Sequence, residues 1–185
     1  MKLSIVFIGH ESLEFLEEQK TYREKFSGGD LVIDVRSIKG GPETIEREQD
    51  EAEAGPWILK EAADAVKEGA DAVMVDCAAD PCMYALREML SVPVIGAGLA
   101  AFSQAAALAE HFSVIAPLPS LAPVYYRKVR DYGLADKLSS VRSISCPILD
   151  LLSESALIAF VEESKRAIDE DQAEVLVIGC TGLSP

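Results

Sequence analysis

Two cysteines, Cys77 and Cys180, stand at the ends of apolar runs, Ala72–Val75 and Val175–Ile178. Each is followed by small residues, Ala78-Ala79 and Thr181-Gly182. A thiol of ordinary acidity, near pKa ~8.5, can give or take a proton around neutral pH with modest tuning. Two thiols on opposite sides of one carbon would invert a stereocentre, one removing a proton as thiolate and the other delivering one. Small neighbours let backbone N–H groups reach a ligand and stabilise charge developing on a carbonyl or carboxylate. No cofactor is required. The competing reading of any strand cysteine is a small buried hydrophobe. It is kept for Cys82, inside an expected helix, and for Cys146, which precedes Pro147 at a strand end.

These thiols need strands to carry them. Short apolar runs, Leu3–Ile8, Leu31–Val35, Ala72–Val75, Val92–Ile95, Phe112–Ala116, Val141–Ser145 and Val175–Ile178, read as strands. Longer amphipathic stretches between them read as helices. One runs through Phe15 and Tyr22, a charged one spans Glu43–Glu53, and another restarts at Pro56 and ends near Gly69. Asp80-Pro81 reads as N-cap and first turn of a helix to Leu90, whose N-terminus would favour thiolate at Cys77; Asp76, if turned inward, would oppose it. Gly98–His111, Leu121 to near Gly133, and Ser153–Asp169 are the remaining helices. Alternating strands and helices predict βαβ units with parallel sheets covered on both faces. The run from Ala70 to Cys77 parallels that from Ala173 to Cys180, and Leu3–Val6 more weakly echoes Phe112–Ile115. Two α/β halves, each closing a buried strand on a cysteine, account for this. Ligands of parallel sheets bind beyond the carboxyl ends of the strands, where both cysteines fall.

Composition narrows the function. The net charge of -14 opposes nucleic-acid binding, and no polybasic run is present. No stretch approaches the roughly 18 continuous apolar residues of a membrane span, and Met1–Ile8 is too short for a secretory core, so a cytoplasmic protein is expected. Four cysteines without zinc-type spacing and two histidines, His10 and His111, leave few metal ligands. Gly96 to Ala101 fits a dinucleotide fingerprint, but the next strand ends at Ala116-Pro117 without an acidic residue for a ribose, so the glycines read as a hinge turn. No GxSxG hydrolase elbow occurs. Tyr125, Tyr126 and Trp57 read as packing residues, and the acids of Glu43–Glu53 as a solvated face.

The motifs as a set resemble the Asp/Glu/hydantoin racemase superfamily, most closely its hydantoin/allantoin racemase branch. The residues carrying the resemblance are Gly41-Pro42-Glu43-Thr44-Ile45-Glu46 with Asp50-Glu51-Ala52, and Asp76-Cys77-Ala78-Ala79-Asp80-Pro81 with Ala85–Glu88. Pro93–Gly96, Tyr132–Asp136 and Gly179-Cys180-Thr181-Gly182-Leu183 complete the set. The resemblance implies two similar flavodoxin-like α/β halves with parallel sheets related by pseudo-two-fold symmetry, residues 1–96 and 97–185, with the active site in the cleft between them. It implies Cys77 and Cys180 as the catalytic thiols. Ala78, Ala79, Thr181 and Gly182 would bind substrate, joined by Gly9, His10, Pro42 and Pro117. The expected partner is a small molecule, a hydantoin, allantoin or related amide, with no cofactor, nucleic acid or membrane, in a homo-oligomer.

Three departures from the branch pattern stand out. The first strand runs into Gly9-His10-Glu11-Ser12 rather than an asparagine-bearing loop; His10 either replaces an asparagine as donor or is an ordinary loop histidine. Cys82 occupies a position where the branch has glycine. The sequence stops at Pro185, where the family continues with a return segment to the first half. The alternatives are therefore an aspartate or glutamate racemase, and a non-catalytic binding protein or truncated inactive member of the same fold.

Overall fold

Strand alternation decides what each face of the sheets packs against. In this computed structural model, residues 1–183 of the chain are described. They divide into two compact units, one of residues 1–45 with 49–96, the other of residues 46–48 with those from 97 onward.

The first unit carries β1 (Lys2–Phe7), α1 (Leu13–Glu24), β2 (Val32–Ser37), α2 (Glu48–Lys67), β3 (Ala72–Asp76), α3 (Met83–Met89) and β4 (Val94–Gly96). Its strands are parallel, in the order β2-β1-β3-β4. Alternate residues point to opposite faces. Val6, Val73 and Val75 therefore meet Ile58, Ala62 and Ala65 of α2 and Leu86 of α3, while Ile5, Phe7 and Ile33 meet Phe15 and Leu16 of α1. Helix α1 starts at Ser12, whose hydroxyl accepts the Phe15 N–H at 3.1 Å. Phe15 then sets its ring edge-on to Phe7, with centroids 5.8 Å apart.

Two expectations change here. The Glu43–Glu53 helix and the helix restarting at Pro56 are one helix, α2, with Pro56 inside it. Proline has no N–H to donate to the Ala52 carbonyl, but the buried residues Ala54, Gly55, Ile58 and Ala62 on one stripe hold the helix to the sheet across that gap. Residues 43–47 lie outside the helix.

The second unit carries α4 (Ala97–Leu108), β5 (Phe112–Ala116), α5 (Ala122–Asp131), β6 (Leu138–Ser143), α6 (Glu154–Asp169) and β7 (Val175–Ile178). Its parallel strands run β6-β5-β7. Ile115 and Leu176 pack with Phe160, Ala167 and Ala173 on the α6 side. Phe102 of α4 lies against Phe112 and Tyr125, with centroids at 6.2 and 6.3 Å.

The repeat seen in the sequence is a repeat of ladder register. Leu3 pairs with Ala72, and Phe112 with Val175; Phe7 is level with Asp76, and Ile115 with Ile178. On the other flank, Val6 pairs with Arg36 and Ile115 with Arg142, beyond a bulge between Phe112 and Ser113. Both arginines anchor acidic clusters. Arg36 contacts Asp34, Glu61 and Glu68, and Arg142 contacts Glu163, Glu170 and Asp171. Among the described residues no helix is long and apolar enough to cross a membrane.

Candidate active site

Cys77 is the first residue beyond β3. By alternation it shares the face of Val73 and Val75, and its half-buried side chain packs on the core between the sheet and α2. Asp76 takes the opposite face. Its carboxylate, 3% exposed, meets Arg23 of α1 at 2.6 Å, so it is turned away from the Cys77 side of the sheet. Ala78 and Ala79 are buried, and the turn closes with the Asp80 N–H donating to the Cys77 carbonyl at 3.0 Å.

Asp80-Pro81 does not start a helix. Asp80 and Cys82 both hold left-handed backbone, with φ of 50° and 59°, and α3 begins only at Met83, with Cys82 at its N-cap position. Asp80 is fully buried, and its carboxyl carbon lies 2.6 Å from where a Cβ on Gly96 would stand. A side chain at residue 96 would collide with that buried carboxyl, so glycine stands there. Cys82 is therefore a linker at the helix entrance, not a helix residue.

The loop after β1 leaves the sheet beside Cys77, because Phe7 is level with Asp76. Gly9 has φ of 121°, and a Cβ there would stand 2.9 Å from the Glu43 carbonyl oxygen and 3.1 Å from a Glu11 carboxylate oxygen. This brings Gly9 together with the segment holding half-buried Pro42. His10 is exposed. Burial, reinforced by the neighbouring Glu43 carboxylate, pushes the Glu11 carboxyl above its ordinary range. Neither Glu11 nor Glu43 stood out as a site residue in the sequence; the close approach of two loops, which no local pattern encodes, puts them there.

In the second unit Gly179 extends the β7 ladder, its N–H reaching the Ile115 carbonyl at 2.8 Å. A Cβ on Gly179 would stand 2.8 Å from that same oxygen and 3.1 Å from the Ala116 Cα, so the strand passes too close to β5 for a side chain. Cys180 follows, half-buried, level with buried Pro117 at the end of β5. Thr181–Leu183 forms a single 3-10 turn, and a Cβ on Gly182 would stand 3.4 Å from the Cys180 sulfur. The Tyr125 hydroxyl of α5 donates to the Gly179 carbonyl.

Cys146 also reaches this edge, its N–H donating to the Pro117 carbonyl at 2.9 Å. Burial, then Asp150 and Glu46, push its thiol upward. Glu46 is held in the same unit: its carboxylate accepts the Ile148 N–H at 2.8 Å and its carbonyl the Ser120 hydroxyl at 2.6 Å. Among the described residues no group of three or more His, Cys, Asp or Glu side chains is placed to hold a metal ion.

A sequence model described as Asp/Glu/hydantoin racemase matches residues 12–185. A hydantoin racemase of Pseudomonas sp. (strain NS671) is 32% identical over 157 residues, 84% of this chain and 63% of that protein. A hydantoin racemase of Rhizobium meliloti is 37% identical over 148 residues, 77% of this chain and 60% of that protein. The chain thus spans less than two thirds of the length of these relatives. The crystal structure of an allantoin racemase from Pseudomonas fluorescens superposes with a TM-score of 0.91 at 25% identity, covering 100% of this chain and 78% of that one.

Proposed function

The chain belongs to the Asp/Glu/hydantoin racemase family, and on that premise we propose that it inverts a stereocentre next to a carbonyl in a hydantoin, allantoin or related small cyclic amide, using Cys77 and Cys180 as acid and base. The observation that carries this reading is the shared register. Each thiol is the residue at the same ladder level beyond the third-formed strand of its sheet, on the face away from the first helix of its unit.

In the proposed reaction one cysteine acts as thiolate and takes the carbon-bound proton, becoming a thiol. The electron pair left on carbon delocalises onto the adjacent carbonyl as an enolate. The other cysteine, a thiol, gives its proton to the opposite face and becomes the thiolate, so the reverse reaction starts from the complementary protonation state. Backbone N–H groups after each cysteine, at Ala78, Ala79, Thr181 and Gly182, are the proposed donors to the developing oxyanion. Gly9, His10, Pro42 and Pro117 are proposed to line the same substrate. A neutral ring suits the acidic surroundings of Gly9 better than the side-chain carboxylate of aspartate or glutamate, which would meet Glu11 and Glu43.

Single enantiomers of a 5-substituted hydantoin, allantoin, aspartate and glutamate, incubated with the protein in D₂O, test the proposal by NMR. Loss of the α-proton signal of the cyclic amides, with solvent deuterium in the opposite enantiomer, is the expected result. A folded protein that exchanges none of them would overturn it in favour of ligand binding without catalysis, and exchange of the amino acids alone would move the substrate to that class.

A further inference from the structure

Asp76 carries a charge directly before Cys77, and the equivalent position before Cys180 is Gly179, which has none. The first unit therefore has an electrostatic problem that the second does not. A carboxylate 3% exposed requires a cation or several donors. Arg23 supplies the cation at 2.6 Å. Its guanidinium lies over the Phe7 ring at 4.8 Å, and Phe7 is the register partner of Asp76. The Gln19 backbone and side-chain oxygens accept from the same guanidinium, fixing its orientation on α1. Helix α1 is already anchored by its Ser12 cap and by Phe15 on Phe7, so packing alone does not call for a buried ion pair.

We propose that Arg23 is a positioning residue for Cys77, holding the carboxyl end of β3 and cancelling the Asp76 charge so that the neighbouring thiol can reach its thiolate form. This rests on the reading of Cys77 as a proton-transfer thiol. In the second unit the Tyr125 hydroxyl on the Gly179 carbonyl makes the corresponding tie from α5 without any charge. The loops and helix around Cys77 carry other ionisable groups: His10 and Glu11 after β1, Glu43 before α2, Asp50 and Glu51 on α2, and Asp80 and Cys82 in its own loop. They are common to all the variants below, so differences between variants isolate the Arg23–Asp76 pair.

The experiment measures the pH dependence of Cys77 alkylation by iodoacetamide, read by peptide mass spectrometry in wild type, R23M, R23K, D76N and R23M/D76N. The other cysteines in each digest serve as references, and urea midpoints and deuterium exchange are followed in parallel. R23M is expected to move the Cys77 profile up by about one pH unit, the scale of an uncompensated buried charge on the adjacent residue across the sheet. D76N moves it down, R23K keeps it, and R23M/D76N returns it towards wild type even where stability does not recover. A profile unmoved by D76N, or an R23M shift that persists in the double variant, overturns the proposal; D76N serves even if R23M fails to fold. Should alkylated Cys77 leave exchange intact, the catalytic reading fails while the charge coupling is still measured.

Discussion

The Tyr125 hydroxyl donates to the carbonyl of Gly179, the last peptide before Cys180, from a ring that is 1% exposed and set edge-on to Phe102. Removing the hydroxyl leaves a buried carbonyl short of a partner with the ring packing intact. Tyr125→Phe is expected to destabilise the fold by about 1–2 kcal/mol. The urea midpoint should fall at unchanged slope, and exchange activity should fall further than the folded fraction does. An unchanged midpoint would show that the bond contributes nothing net.

The two thiols should fail differently. Cys77→Ala and Cys180→Ala each remove one face of the proposed proton relay, so racemisation should drop by about 10²–10⁴-fold in either. Each variant should still wash the α-proton out of one enantiomer, and the two should prefer opposite enantiomers. Loss of exchange from the same enantiomer in both variants would contradict the assignment of one thiol per face.

Gly179→Ala places a methyl group 2.8 Å from the Ile115 carbonyl oxygen, where only backbone could yield. A loss of about 1–3 kcal/mol is expected from such overpacking, visible as a lower thermal midpoint. Gly28→Ala, where a Cβ meets nothing within 4 Å, is the matched control.

Cys82 sits at φ of 59°, with its sulfur 3.1 Å from where a Cβ on Gly55 would stand. Glycine relieves the left-handed strain, about 1–2 kcal/mol for an ordinary residue, but gives up the thiol packing and adds chain entropy. Cys82→Gly should therefore leave stability within about 1 kcal/mol of the wild type. Cys82→Val, β-branched and worse in that conformation, should lower it clearly. Equal midpoints for the two variants would show that backbone conformation is not what sets the cost here.

Acid should weaken both units through their arginine clusters. The hydrogen bond from Arg142, against the cost of burial and with help from Ser140, holds Asp171 below its usual value of 3.8. Burial works against Asp34, yet hydrogen bonds from Ser4 and Arg36 hold it low as well. A carboxyl whose folded value is depressed contributes fully above its unfolded value and loses that contribution as pH falls through the folded one. Stability should thus be level with respect to these groups above about pH 4 to 5 and decline below it. Arg142→Met should lower the neutral-pH midpoint and flatten the acid decline, whereas an unaltered acid limb would remove Asp171 from the account.

Much of this was legible in the residues. The strands Phe112–Ala116 and Val175–Ile178 have their read boundaries, and the helix read over Ser153–Asp169 is α6, with Ser153 as its cap. The cysteine-ended repeat announced the matching ladders. Long-range packing hid the rest. Nothing local in Asp80-Pro81 tells that the carboxyl will lie against Gly96, or that Asp80 and Cys82 will both hold left-handed backbone before the helix begins. The acids of residues 43–53 looked like one solvated face, yet Glu46 spends both its carboxylate and its carbonyl on Ile148 and Ser120, more than seventy positions along the chain. Tyr125 read as packing; its hydroxyl partner became visible only once α5 was laid beside β7.

That Glu46 belongs with the second unit has a consequence for how the molecule is made. During synthesis Glu46 leaves the ribosome well before Ser120 and Ile148 exist, so its acceptors wait on residues still untranslated. A fragment beginning at Ala97 would never meet them, leaving the Ser120 hydroxyl and the Ile148 N–H to water. The order of translation and the order of assembly therefore cross at this segment, and no single cut in the chain leaves both units whole.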